Sequence, residues 1–423
     1  MKRDISKKVL DFIDSLSEDH DILKFVYNSK EFIPGTTPVY YSGPVWDNDE
    51  LVAAITTMIS GRWLSSGENV LKFERELCKR YNQKHGLMVN SGSSANLVMI
   101  ASLKKVLKWE DGDEIIVSPV GFPTTVAPLV QNGLVPVFVD IEMKTLNFDV
   151  LKIEEKITER TRGIFVSPVL GNPPDFDKIV KICDEKNISL ILDNCDSMGT
   201  TWDDKLLSDY AIASSYSFYP AHHITTGEGG AILTNNPELY KKAFLLRKHG
   251  IDRRDEMFSE ENRNGSWVYD MEELGFNYRI TDFQAALGLS QLKKLERFKT
   301  RRREIVNYYN ANLAFIEELI LPYEDKNVNS NFHLYMLQVK NNPRFDRYDL
   351  FNYLKSKNYN PMVHYIPVHL LSYYRKRFGY NHGDFPVAEK IYKRTISIPL
   401  YPALTDTEVE KVVEDIVAFI KES

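Results

Sequence analysis

From about residue 86 to 235, short apolar runs alternate with stretches in which apolar positions recur at helical spacing. The runs GLMVN (86–90), DEIIVS (113–118), VPVFVD (135–140), RGIFVSP (162–168), ISLILD (188–193) and AIASSYSF (211–218) read as strands, and SANLVMIASLKKVL (94–107) and DFDKIVKICDEKN (175–187) as helices. Continuous rather than alternating apolar runs are what a strand needs when helices cover both faces of its sheet. The pattern therefore predicts an α/β fold with a mainly parallel sheet flanked by helices, whose ligands gather at the carboxyl ends of the strands. A long charged helical stretch (281–318) then leads to an alternating strand FHLYMLQVK (332–340), a helix DLFNYLKSK (349–357) and a closing amphipathic helix TEVEKVVEDIVAFIKE (407–422). These predict a smaller C-terminal α+β domain over 315–423, beside a large domain over 41–314. Residues 1–40 read as an extension of one or two amphipathic helices.

Composition agrees with that division. A chain of 423 residues, 43% hydrophobic and 26% charged, can bury one large core and a second, smaller one. Net charge is -6 and the basic residues are scattered, so no continuous positive surface is expected for nucleic acid or an anionic membrane. Charge interrupts every apolar run near the N-terminus, which excludes a signal-peptide or membrane-spanning reading of that segment. Cys78, Cys183 and Cys195 have neither metal-ligand spacing nor the number for a disulfide framework, and fit a reducing cytoplasm.

Four segments at strand ends could carry chemistry. In VNSGSSANL (89–97) a strand ends in small residues and a helix begins, which lets backbone N–H groups approach a phosphate, with hydroxyls from Ser93 and Ser94; ordinary turns use the same residues. In ILDNCDSMG (191–199) Asp193 closes a strand, where its charge could hold a pyridine nitrogen protonated or simply cap a loop. In GFPTTVAPL (121–129) Phe122 could stack on a flat ring or fill a core. In SFYPAHHITTGEGGAIL (217–233) a strand enters a loop with two histidines and a Gly-Glu-Gly-Gly turn before another apolar strand. Adjacent loop histidines rarely converge on one ion, and no acidic or histidine partner stands at helical spacing, so no metal is expected.

Taken in order, these motifs resemble the fold-type I pyridoxal phosphate enzymes, and among them the DegT/StrS-type sugar aminotransferases and their dehydratase relatives, over residues 40–420. The resemblance implies that Ser93 and Ser94 bind the cofactor phosphate with Ser217, that Phe122 stacks on the pyridine ring and that Asp193 pairs with its nitrogen. Asp196 joins the cofactor set by the same resemblance, and His223, His364 and Tyr365 fall to the substrate. LGFNYRITDFQAALG (274–288) is similar to the stretch whose asparagine, here Asn277, reaches a neighbouring subunit's phosphate, which implies a homodimer with shared active sites. Where the family pattern has its Schiff-base lysine, five positions after Ser217, this chain has His222. That exchange, with the HHIT segment, resembles the 3-dehydratases acting on GDP-4-keto-6-deoxymannose and CDP-4-keto-6-deoxyglucose. The second of these carries cysteines for an iron–sulfur centre, but LRKHGIDRRDEMFSEENRNG (246–265) has none, so no such cluster is expected. Residues 362–403 are more similar to ordinary sugar aminotransferases.

A lysine amine can both tether pyridoxal phosphate and move protons; imidazole can do only the second. The cofactor is therefore expected non-covalently bound, as pyridoxamine phosphate or pyridoxal phosphate. The resemblance implies C3 dehydration of a nucleotide-linked 4-keto-6-deoxyhexose in dideoxysugar and lipopolysaccharide sugar biosynthesis, with His222 as acid/base and glutamate as amino donor. Two alternatives stand beside it: a sugar-nucleotide aminotransferase, and a non-catalytic cofactor-binding homologue.

Overall fold

The structure, a computed structural model, describes residues 2–17, 31–61, 63–252 and 267–423. Its first elements are helices α1 (Lys2–Ser17), α2 (Asn48–Ser60) and α3 (Glu68–Arg80), strand β1 (His85–Val89) and helix α4 (Gly92–Val106). Strand β2 (Glu114–Val117), helix α5 (Pro123–Gln131), strands β3 (Val135–Phe138) and β4 (Thr161–Val166) and helix α6 (Phe176–Lys186) follow. Next come strands β5 (Ser189–Asp193), β6 (Ala213–Ser217) and β7 (Gly230–Thr234), helix α7 (Pro237–Arg247) and the long α8 (Asp282–Leu313). The chain ends with β8 (Leu319–Ile320), β9 (Tyr335–Val339), α9 (Arg347–Ser356), β10 (Thr395–Ile398) and α10 (Asp406–Glu422).

Helix starts coincide with capping side chains. Ser91 caps α4 by accepting from the Ser94 N–H, Asp175 caps α6 in the same way, and capping boxes pair Thr281 with Gln284 at α8 and Thr405 with Glu408 at α10. Helix α6 stops at Asn187, which takes the left-handed conformation at φ 52°.

The large sheet has seven strands in the order β1-β7-β6-β5-β4-β2-β3. All run parallel except β7, which is antiparallel to both β1 and β6. The link between β6 and β7, residues 218–229, contains no helix, so the chain turns straight back instead of crossing over to a parallel position. That link carries both histidines. Strands β5, β6 and β7 are buried almost throughout, as helices on both faces require.

A second, antiparallel sheet, β8-β9-β10, has a core of its own. Leu337, Ile396 and Ile398 pack there against Ile305, Tyr309 and Leu313 of α8 and Val412 and Ile416 of α10. Helix α8 thereby spans from the large sheet to the small one, and it brings the chain segment just before β9 to the end of β6. At the N-terminus α1 packs on α2; a second helix of the extension would fall on residues 18–30, outside the described residues. No helix among the described residues is long and apolar enough to cross a membrane.

Candidate active site

A cavity of about 630 Å³ opens at the carboxyl ends of β1, β2, β5 and β6. Ser91, Gly92 and Ser93 line one end, where the N-terminus of α4 directs its free N–H groups inward. The hydroxyl of Ser94 is turned to Ser91, 3.0 Å away, so Ser91 and Ser93 rather than Ser94 face the space. Gly92 has to be glycine: a Cβ there would stand 2.5 Å from Cβ of Ser217, which lines the same end. Asn277 is exposed and lies away from this cavity.

Asp193 lies at the other end, its carboxyl oriented by hydrogen bonds from its neighbours. Its Oδ2 accepts from Asn96 Nδ2 at 2.8 Å and Thr125 Oγ1 at 2.7 Å. Its Oδ1 takes only longer contacts, from Cys195 N–H at 3.3 Å and Ser215 Oγ at 3.4 Å, and so keeps capacity for a further donor. Between the two ends Phe122 presents its ring with 57% of its surface exposed, an apolar area that a flat ligand would cover.

His222, His364 and Tyr365 line the opposite wall. Asp196, read from the sequence as a cofactor residue, is placed among them: its Oδ1 is 3.6 Å from His222 Nδ1 and 3.1 Å from His333 Nδ1, and its Oδ2 accepts from the Tyr365 hydroxyl at 3.1 Å. Burial alone would raise the Asp196 carboxyl, but His333, His222 and Tyr365 hold it well below the usual carboxylate range. Burial, the neighbouring His333 and, more weakly, Arg302 push the His222 imidazole down to about 3 against the pull of Asp196. His222 is therefore a neutral ring at physiological pH, and its Nδ1 has no hydrogen-bond partner.

His223 points the other way. The sequence reading put it on the substrate, but it is 3% exposed and packs against His333, outside the cavity, because successive residues of this turn face opposite sides. Burial and the nearby Arg302 hold its imidazole well below the ordinary value.

Sequence reasoning missed His333, which it saw only as part of a strand, and gave no role to Asn96, Thr125 or Tyr41. Asp196, His222 and His333 place one ligand atom each within 4.8 Å of one another, a grouping that local spacing could not reveal. The rings of His222 and His333 are stacked, 4.8 Å between centroids and 25° between planes.

Comparison with known proteins places this geometry. Residues 46–417 match the model of the DegT/DnrJ/EryC1/StrS aminotransferase family. The chain is 35% identical over 426 aligned positions to dTDP-4-dehydro-2,6-dideoxy-D-glucose 3-dehydratase of Saccharopolyspora spinosa, covering 93% of this chain and 89% of that one. Among solved structures, PseC of Helicobacter pylori, an aminotransferase of pseudaminic acid biosynthesis, superposes with a TM-score of 0.83 at 28% identity, covering 92% of this chain and 100% of that one. GDP-4-keto-6-deoxy-D-mannose-3-dehydratase of E. coli with bound hydrated PLP superposes with a TM-score of 0.82 at 30% identity, covering 89% and 99%.

The cofactor is pyridoxal 5′-phosphate or its pyridoxamine form, and the residues present fit it. The cradle at Gly92 and Ser217 suits a phosphate, Phe122 a ring face, and the spare oxygen of Asp193 a protonated ring nitrogen. No lysine lines the cavity among the described residues, so none of the residues that line it offers an amine to tether the cofactor. The chain belongs to the DegT/DnrJ/EryC1/StrS aminotransferase family, the family of sugar aminotransferases and 3-dehydratases, and stands close to the dehydratases.

Proposed function

We propose that this protein removes the C3 oxygen of a nucleotide-linked 4-keto-6-deoxyhexose, with His222 as its acid and base. The observation that carries the reading is an uncharged imidazole, with a free Nδ1, in a cofactor cavity that no lysine lines among the described residues. Bound as pyridoxamine phosphate, the cofactor would supply an amine for the sugar ketone and a ring that absorbs electrons. His222, neutral at rest, takes a proton from the cofactor's C4′ methylene. The imidazolium so formed then gives its proton to the C3 hydroxyl, which leaves as water. Asp193 keeps the ring nitrogen protonated throughout, and the α4 N-terminus with Ser91, Ser93 and Ser217 holds the phosphate. Because imidazole cannot displace the sugar from the cofactor as a lysine amine can, water ends the sequence, releasing ammonia and a 3,6-dideoxy-4-ketosugar nucleotide. Glutamate restores the amine to the cofactor, and no iron–sulfur cluster takes part.

The same reading makes the protein a cytoplasmic homodimer with shared sites. Asn277 is exposed and off its own cavity, and Leu274, close to it in sequence, is 82% exposed, which is what residues serving a second copy require.

The test is His222→Lys. That variant should form a borohydride-trappable bond to pyridoxal phosphate at residue 222 and lose deoxygenation. A variant chain left unmodified by borohydride would show that residue 222 does not face the reactive carbon.

A further inference from the structure

Asp196 from the loop after β5, His222 from the link between β6 and β7, and His333 from just before β9 all line the cavity, each with one ligand atom within 4.8 Å of the other two. Asp196 Oδ1 is 3.1 Å from His333 Nδ1 and 3.6 Å from His222 Nδ1. Ligand atoms about 2.0–2.1 Å from a tetrahedral zinc ion stand roughly 3.3–3.4 Å from one another. The two distances to the carboxylate oxygen bracket that edge. Both Nδ1 atoms are buried and neither has a hydrogen-bond partner, and His333 is only 4% exposed. Burying a polar nitrogen without a partner costs free energy, which a coordinated ion offsets.

The surroundings suit metal ligands. His333 Nε2 is 3.1 Å from the Ala221 carbonyl oxygen, and the second carboxylate oxygen of Asp196 accepts from the Tyr365 hydroxyl at 3.1 Å. Outer contacts of this kind orient ligating histidines and carboxylates. Asp196 is held ionised and His222 neutral, the form in which each coordinates. The lining adds two more acidic side chains, Asp193 and Glu228, and among the described residues no lysine or arginine. Against a cation stands the buried guanidinium of Arg302, which donates to the His333 carbonyl at 2.8 Å. That repulsion disfavours magnesium or calcium, which bind through charge and oxygen, and leaves zinc and its neighbours, which imidazole holds well.

We propose that Asp196, His222 and His333 form a site for a zinc-class divalent cation, and that the ion inhibits the enzyme by occupying the lone pair with which His222 takes a proton. The inhibition rests on the reading of His222 as acid and base; the site itself does not. Three protein ligands leave a fourth tetrahedral position to water or to a ligand oxygen in the cavity. The second imidazole comes from a distant segment and not from the adjacent His223, which packs away from the cavity.

The experiment titrates the holoenzyme, loaded with pyridoxamine phosphate and freed of excess cofactor by dialysis, with cobalt(II), whose visible absorption distinguishes four-coordinate ligation from the hydrated ion. One equivalent per chain should develop the four-coordinate spectrum, and zinc should abolish it by displacement. His222→Asn and His333→Asn should each weaken binding by at least about tenfold, and His223→Asn should leave it unchanged. Cobalt bound equally by all three variants would be held by the cofactor's own amine and phenolate, and would overturn the proposal. X-ray absorption of one equivalent of zinc on the unaltered holoenzyme gives the answer even where a variant fails to fold. Imidazole scattering around a zinc with nitrogen and oxygen neighbours at about 2.0–2.1 Å is expected; zinc without imidazole would contradict the site. The same equivalent should stop deoxygenation, and a chelator should restore it. Zinc seated on the imidazoles while deoxygenation continues would overturn the inhibition and with it the reading of His222 as acid and base, whereas failure to bind zinc would leave that reading untouched.

Discussion

Asn96 donates its side-chain amide to Asp193 at 2.8 Å, tying the first turns of α4 to the end of β5. The same amide's oxygen accepts from Ser215 Oγ at 2.5 Å, so one buried side chain joins a helix and two strands at the ring end of the cavity. Asn96→Ala leaves Ser215 with only its 3.4 Å contact to Asp193 Oδ1, and Asp193 Oδ2 with Thr125 alone. We expect a stability loss of about 1–3 kcal/mol, read by denaturant melts, together with weaker cofactor retention. Asp193→Asn removes the charge itself and should lower kcat by roughly 100-fold or more with the fold intact by circular dichroism.

Gly92 and Ser217 meet across the phosphate end, with no room for a methyl group between them. Gly92→Ala should weaken pyridoxamine phosphate binding by about tenfold, the lower part of the ~1–3 kcal/mol that overpacking costs. Fluorescence titration of the apoprotein checks this. Adding Ser217→Gly should restore part of the affinity by making space; a loss that the second change leaves untouched would place the phosphate elsewhere.

Acid stability follows from the buried histidines. Burial holds His222 down to about 3 and His364 to about 4, with His333 adding to both, while burial and Arg302 hold His223 well below its ordinary value. An unfolded histidine titrates near about 6.5. Between that pH and about 4 the unfolded chain binds more protons than the folded one, so stability is full above about 6.5 and falls as pH falls. His364→Asn should flatten that slope by close to one proton, measured as the change of unfolding free energy with pH, whatever its effect on stability at neutral pH.

Much of this was legible in the chain. Apolar runs such as ISLILD and RGIFVSP locate β5 and β4 because strands buried on both faces leave little freedom of composition. Asp193 and Ser217 were legible because each closes a strand, and Phe122 because it follows one, and the sheet topology delivers strand ends to one cavity. The reversed direction of β7 was not legible, since an apolar run carries no sign of its direction. His333 was hidden for a different reason. It meets Ala221 across 112 positions of sequence, and only the packing of α8 against both sheets brings them together. The reading of His223 as a substrate residue failed on a single turn, where one ring faces the cavity and the next faces the core. Asp196 lies close to Asp193 in sequence yet serves the histidines, because the chain bends after β5.

Mass analysis of the sugar formed from nucleotide-linked 4-keto-6-deoxyhexoses with glutamate and the cofactor tests the central claim most directly. A sugar that has lost its C3 oxygen and keeps its ketone, with ammonia released in equal amount, is the predicted result. A sugar carrying a new amino group and its original C3 hydroxyl would contradict it, for His222 would then complete amino transfer as a lysine does.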